Sequence, residues 1–324
     1  MTGKSAPDLS LEAILSRVDQ RLRARLLHPE ARCLFTWHVG RQCGFRCPYC
    51  LLLWDEMGAQ DLPLERAIGA WRRWYERHGR AQVCCTGAEP MFERVGLQAI
   101  AAITEWHVLN ITSNMAFPER ALDGFADPSR VFFTASYHPE PRAGKRQNVE
   151  SFCRRMRRVQ ARGFGVVGAS CVAYPPLVDG LAEAKRRIEA DGLWFSVHLF
   201  RGHYEGRAYP EAYTEDELSR IMDVIGPDAS PTPVSMKGKP CWTGCKYLLV
   251  HADGSAHRCA RMLPGQQPIG NFYDGTAEPY ALPEPCPYEA TCACQELWAY
   301  HASDEEAAAA RTLTARATPC MERA

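Results

Sequence analysis

The stretch RQCGFRCPYC, Arg41 to Cys50, carries three thiols at C-x3-C-x2-C spacing. A structural zinc site takes four ligands, and an iron–sulfur cube is held by four thiolates. The next cysteines, Cys84 and Cys85, lie more than thirty residues on. His38 precedes Cys43 by five residues and reads as part of a strand. If Cys43, Cys47 and Cys50 hold a [4Fe–4S] cube, one iron is left without a protein ligand. An open position on a metal is where substrate or cofactor binds. A zinc site that recruits a distant fourth ligand is the other reading. The ferredoxin run, C-x2-C-x2-C-x3-C-P, has a different spacing.

Working outward, RCLFTWHVG (32–40) has the apolar, β-branched look of a strand ending at the thiol loop. A helix is expected over 62–79, with Leu64, Ile68, Trp71 and Tyr75 on one stripe. Strands then read at 81–87, 107–114, 130–138, 165–174 and 193–200, and helices near 92–104, 118–125, 148–162, 178–191 and 214–225. Six strand-then-helix units with nearly continuous apolar strands indicate a parallel sheet covered by helices. The expected fold class is α/β, a partial (β/α)6 TIM-like barrel with its site at the carboxyl ends of the strands. The spacing around the basic run RRMRRVQAR (154–162) suits a helix with Phe152, Met156 and Val159 inward, and the arginines read as a solvated face.

The pattern breaks near GPDASPTPVSMKGKP (226–240), after which six cysteines fall between 241 and 294. The expected divisions are a helical preface (1–31), a core (32–230), a small cysteine-rich C-terminal domain (231–300), and a helix with a loose tail (301–324). The 324 residues hold 38 basic and 38 acidic side chains, so there is no general electrostatic pull toward nucleic acid or anionic membrane. No run reaches the roughly 18 apolar residues of a membrane span. The first residues break their apolar positions with charges and do not read as a signal peptide. Cytoplasm is the expected location. Fifteen cysteines in such a chain point to metal or redox chemistry rather than disulfides.

The three-thiol loop directly after a first strand, with Tyr49 before its last cysteine, resembles the radical S-adenosylmethionine (SAM) superfamily. The resemblance covers roughly residues 32–225. It implies that SAM chelates the open iron through its amino and carboxylate groups. Reductive cleavage then gives methionine and a 5′-deoxyadenosyl radical that abstracts a substrate hydrogen atom. On this reading Cys43, Cys47 and Cys50 are both metal ligands and catalytic residues. TGAEP (86–90) resembles the family's Gly-Gly-Glu-Pro, whose backbone holds the SAM ammonium; Ala88 replaces its second glycine. Gly87, Ala88, Glu89, Pro90 and Tyr49 are therefore expected at the cofactor. TSN (112–114) resembles the family's Thr-Asn-Gly, which brings Ser113 and Asn114 to the SAM carboxylate or ribose. Ser136 resembles a ribose contact, and His138 faces cofactor or substrate, or is a capped turn histidine. SCVAY (170–174) falls at the expected adenine-facing strand.

Cys241 to Cys259, CWTGCKYLLVHADGSAHRC, resembles the opening of the SPASM/twitch auxiliary-cluster domains. The turn Ala252-Asp253-Gly254 predicts a hairpin with its flanking thiols at one end. Cys286-x5-Cys292 matches part of the SPASM spacing, C-x2-C-x5-C-x3-C. Pro283 stands where that run's first cysteine would be, and Cys292-x1-Cys294 is shortened. One auxiliary [4Fe–4S] cluster is expected from four of Cys241, Cys245, Cys259, Cys286, Cys292 and Cys294. The favoured set is Cys241 or Cys245 with Cys259, Cys292 and Cys294. A second cluster using Cys286, Cys292 and Cys320 and a zinc knuckle stay open. Cys33, Cys84, Cys85, Cys153 and Cys171 read as buried, inert thiols, though Cys84 or Cys85 could line the pocket.

The substrate is the least legible feature. Arg201, His203, Tyr204 and Glu205 follow the sixth strand, and HPEPRAGKR (138–146) is a second basic loop at the same rim. They suit a polar substrate with an anionic group. About thirty residues precede the first strand, with no peptide-recognition domain among them. A small polar metabolite is the first expectation, a peptide or protein substrate the second, and a non-catalytic iron–sulfur or zinc module the third. An external reductant such as flavodoxin or ferredoxin is the implied partner.

Overall fold

The structure is a computed structural model. It describes residues 28–40, 42–50, 62–139, 147–226, 234–260, 267–288, 291–292 and 300–312. The expected preface (1–31) and tail lie largely outside them, as do Cys294 and Cys320.

Six parallel strands follow in chain order: β1 (Leu34–Gly40), β2 (Gln82–Gly87), β3 (Val108–Ser113), β4 (Val131–Ser136), β5 (Gly165–Ala173) and β6 (Trp194–Leu199). Each pairs in parallel with the next, which requires a crossover connection between them. The crossovers carry α1 (Leu64–His78), α2 (Arg94–Ile103), α3 (Val149–Ala161) and α4 (Leu181–Glu189); α5 (Glu215–Ile225) follows β6. The sheet does not close, which makes the partial barrel.

Strand alternation sorts side chains onto two faces. Phe35 and Trp37 of β1 point to α1, where Trp71 and Trp74 meet the Phe35 ring edge-on at 4.9 and 4.7 Å. The buried stripe of α1 is Ala67, Ala70, Trp71, Trp74 and His78. It is rotated from the expected one, because small Ala67 and Ala70 let the helix approach the sheet while both tryptophans pack. Tyr75 is only half-buried. Thr36, His38, Cys84 and Thr86 alternate with the helix-facing residues and lie on the inner face.

Two expected helices change form. Residues 119–124 and 128–130 make 3-10 turns, since Pro118, Gly124 and Pro128 leave no room for a longer helix. Residues 175–180 are also 3-10, opened by two prolines and ended by Gly180, before α4 begins. In α3, Phe152, Met156 and Val159 are buried as expected. Arg157, Arg158 and Arg162 make exposed ion pairs, and Arg155, itself exposed, donates to the Met115 and Phe117 carbonyls.

The cysteine-rich segment continues the main sheet. The expected hairpin is present as β11 (Tyr247–Val250) and β12 (Ser255–His257). β11 runs parallel to β1, with Leu34 opposite Tyr247 and Trp37 opposite Val250. A further strand, β13 (Gly270–Asn271), extends this edge, giving nine strands in all. Phe272 then packs on Phe35 and Trp71, and the Trp37 indole donates to Tyr273 Oη at 2.9 Å. The short strands β9 (Val234–Ser235), β10 (Pro240–Cys241), β14 (Glu284–Pro285) and β15 (Thr291–Cys292) form small ladders around this edge. After β6, β7 (Gly202–Tyr204) and β8 (Arg207–Tyr209) form a hairpin, and α5 opens with the Thr214–Glu217 capping box. α6 (Asp304–Thr312) ends the described chain. No helix among the described residues is long and apolar enough to cross a membrane.

One buried group sets an acid limit on this fold. His107 is fully buried; its Nδ1 accepts from the Ala81 N–H at 3.1 Å and its Nε2–H donates to the Trp71 carbonyl at 2.9 Å. Burial, with Arg80 adding to it, lowers its pKa from 6.5 to about 4. The unfolded chain therefore binds a proton that the fold refuses, and stability is lost as pH falls from 6.5 toward 4. A shift of that size corresponds to about 3 kcal/mol at most. His107→Gln keeps one donor and one acceptor and does not titrate. It is expected to flatten the loss of urea-unfolding stability across this window; an unchanged slope would count against the assignment.

Candidate active site

The thiol loop leaves β1 at the carboxyl ends of the parallel strands, where open α/β sheets place their sites. It is fastened to the end of β2 by backbone bonds: Ala88 N–H to the Gly40 carbonyl (3.3 Å) and Glu89 N–H to the Gln42 carbonyl (3.0 Å). This close approach needs Gly87. Its φ is +117°, and a Cβ there would stand 2.8 Å from the Gly40 oxygen.

Cys43, Cys47 and Cys50 are all half-buried, and Cys47 and Cys50 share a turn through Cys50 N–H to the Cys47 carbonyl at 3.1 Å. Burial, then the neighbouring Cys50 and Cys43, pushes the Cys47 thiol up to about 12. Burial also raises Cys43, against the Phe45 N–H that donates to its sulfur at 3.3 Å. Three thiolates this close repel one another unless a cation neutralises them. That donor chemistry suits an iron–sulfur cube or another thiophilic metal. Among the described residues no three His, Cys, Asp or Glu side chains already stand at metal-ligating spacing.

Around this loop the expected cofactor residues divide. The Glu89 side chain turns inward. It is 4% exposed, and its carboxylate accepts from Ser113 Oγ (2.8 Å), Asn114 N–H (2.7 Å) and Met91 N–H (3.2 Å). Burial raises its pKa to about 7, against those three donors. Ser113 is fully engaged with Glu89 and the Met115 N–H. Asn114 is buried and directs its amide at Cys43, 3.6 Å away. Glu89 and Ser113 thus bolt the end of β2 to the end of β3, Pro90 is buried beside them, and the backbone of Gly87 and Ala88 stays half-exposed.

Tyr49 ties the loop to β4. Its hydroxyl bonds His138 Nδ1 at 3.1 Å, and the two rings stack 5.8 Å apart. Burial lowers His138 to about 4, so it is a neutral imidazole near pH 7. The His138 N–H donates to Gln147 Oε1, and Gln147 Nε2 donates to the Asn114 carbonyl. Gln147 is the clamp that sequence reasoning missed; ten residues separate it from the end of β4 at Ser136, with no motif to mark it. Ser136 closes β4 opposite Ser170 of β5, on the inner face.

From Tyr49 an aromatic contact runs to Tyr174 (5.2 Å) and on to Tyr204 (5.1 Å) in the β7–β8 hairpin. Tyr204 is thereby joined to the thiol loop, while Arg201 and His203 are exposed. On the other side, His38 meets His251 at 3.1 Å between Nδ1 atoms, and His251 packs on His257. This imidazole row lies at the β1–β11 seam. It could not be read from the sequence because it depends on that pairing.

All thirteen described cysteines are free thiols. Cys33, Cys85, Cys153 and Cys171 are buried, and Cys84 is half-buried on the inner face. In the second field, Cys241, Cys245 and Cys259 are buried. The β10–β14 ladder brings Cys286 near enough to help raise the Cys241 thiol, after burial. Cys245 Sγ bonds the Tyr280 carbonyl at 2.8 Å. Arg258, next to Cys259, donates to the Glu284 and Pro285 carbonyls and lies over Tyr280. The structure therefore gathers Cys286 with Cys241, a neighbour that the favoured set omits. Cys292 sits on β15 against β9, and Cys294 is outside the described residues.

No protein-family model matches this chain, and no curated protein does. Solved structures do resemble it. Native anSMEcpe with bound AdoMet (S-adenosylmethionine) superposes with a TM-score of 0.56 at 13% identity, covering 75% of this chain and 78% of that one. Streptococcus suis SuiB bound to S-adenosylmethionine gives 0.54 at 14%, covering 81% and 68%. Native anSMEcpe with bound AdoMet and the Cp18Cys peptide gives 0.51 at 15%, covering 75% and 78%. At these identities the likeness is one of fold, and it bears out the partial barrel.

Proposed function

We propose that this chain is a radical SAM enzyme, with a [4Fe–4S] cluster held by Cys43, Cys47 and Cys50. The observation that carries the reading is the three-thiol turn docked, through Gly40 and Gln42, onto the Gly87–Glu89 backbone at the carboxyl ends of parallel strands. When bound, the cluster and SAM supply reductive sulfonium cleavage and, from it, abstraction of a substrate hydrogen atom. The protein's part is positional. Gly87 and Ala88 leave room for a ligand to reach the backbone. Tyr49, stacked on His138, fixes the loop wall. Ser136 and its inner-face neighbours offer hydroxyls to the cofactor ribose or the substrate, and Tyr204 forms the outer wall.

The substrate we assign is a small polar metabolite, oxidised, epimerised or joined through a C–C bond. A peptide substrate is the second reading, favoured by the fold likeness to a protein solved with a bound peptide. We assign residues 231–300 an auxiliary cluster in which Cys241, Cys245, Cys259 and Cys286 join the candidates Cys292 and Cys294. An external flavodoxin or ferredoxin supplies the electron, and the chain works in the cytoplasm.

The test is anaerobic reconstitution with iron and sulfide, reduction with dithionite, and addition of SAM. 5′-Deoxyadenosine and methionine are the expected products; a reduced, iron-loaded protein that yields neither overturns the reading. Cys259→Ala separates the two fields. It is expected to lower iron content by about one cluster's share, spare SAM binding, and impair substrate turnover. Loss of all iron would instead argue for one shared site.

A further inference from the structure

We propose that Asn114 is a positioning residue whose amide hydrogen bond to the Cys43 sulfur raises the reduction potential of the cluster on the three-thiol loop. The inference rests on the reading of that loop given above.

Every polar group of Asn114 is committed. Its backbone N–H donates to Glu89 Oε2 at 2.7 Å, and its carbonyl accepts from Gln147 Nε2 at 2.9 Å. Its side-chain Oδ1 accepts from the Ala116 N–H at 2.8 Å, which leaves Nδ2 facing Cys43 Sγ at 3.6 Å. A flipped amide would set two donors against each other at Ala116, so the hydrogen-bond pattern itself assigns the orientation. Met115, the next residue, has φ +59° and donates to Ser113 Oγ, closing the turn that aims the side chain. The group is 5% exposed, so little water competes for the sulfur.

Cys43 Sγ therefore takes two N–H donors from different parts of the chain, Phe45 from the loop and Asn114 from the end of β3. Donors to a ligand sulfur stabilise its negative charge. The effect is greatest in the reduced cluster, which carries one more electron, so potential rises with such bonds. Ser113, one residue earlier, cannot do this because Glu89 holds its hydroxyl. Asn114 thus reaches a cluster ligand rather than open cofactor space.

The test is an EPR-monitored redox titration of reconstituted full-length protein without SAM, following the signal that Cys47→Ala removes. Two substitutions are compared. Asn114→Leu keeps the volume and deletes the donor. Asn114→Asp keeps the acceptor for Ala116 but replaces the donor with a negative charge. At the wild-type midpoint, the ratio of reduced to oxidised cluster is expected to fall about tenfold in Asn114→Leu, or about 59 mV for one electron. Asn114→Asp is expected to fall further, with iron content unchanged in both. An unmoved midpoint in Asn114→Leu overturns the proposal, even if Asn114→Asp moves, since a bare charge would then explain it. Loss of iron from Asn114→Leu overturns it too, by showing a scaffold role. A wild-type protein that assembles no cluster on the loop refutes the underlying reading and this inference together, and is recognised by its iron count alone.

Discussion

Cys47→Ala is expected to abolish cluster assembly on the loop and to reduce 5′-deoxyadenosine formation to background. The reason is electrostatic as much as geometric. Burial and the two neighbouring cysteines hold the Cys47 thiol near 12, so at neutral pH it stays protonated until a metal displaces the proton. The binding energy of iron has to drive that deprotonation. Two remaining thiols cannot hold three iron corners, and no other cysteine is near in the chain. If the auxiliary field also loads, total iron should fall by about half. Iron and acid-labile sulfide analysis, EPR of the reduced protein and chromatography of the SAM products are the measurements. A variant that still cleaves SAM would refute the assignment of the loop.

Glu89→Ala should be the most destabilising single change at the site. It would strand three buried donors, on Ser113, Asn114 and Met91. An unpaired buried donor costs about 1–3 kcal/mol. The loop can relax and admit water, so the expected loss is about 3–5 kcal/mol rather than the full sum. The pH dependence gives a second check. The folded carboxyl has its pKa raised from 4.5 to about 7, so the fold holds a proton that the unfolded chain releases. Its contribution is full below about 4.5 and is lost as pH rises through 7. The deficit of Glu89→Ala against wild type should therefore narrow between pH 4.5 and 7 in urea-unfolding experiments. A deficit that widens over this range would mean that the carboxylate, not the acid, is the stabilised form.

Much of the frame was legible from local pattern. The C-x3-C-x2-C spacing, the strand before it, the alternation of six strands and helices and the Asp253-Gly254 hairpin all rest on near neighbours in the chain. So did the inward face of α3. The misreadings also had local causes that propensity alone does not weigh: the prolines at 118, 128, 175 and 176 shortened helices, and Ala67 and Ala70 rotated the stripe of α1.

By itself, then, the sequence determined the thiol loop, its place after the first strand and the parallel α/β plan, because these follow from spacing and periodicity within a few turns of chain. Only the tertiary structure decided that Glu89 faces inward, that Asn114 meets Cys43, that β11 joins β1, and that Cys286 comes beside Cys241. Those contacts join residues 24 to more than 200 positions apart. Their partners are selected by strand register and by the need to satisfy buried polar groups, and neither leaves a periodic mark on the chain.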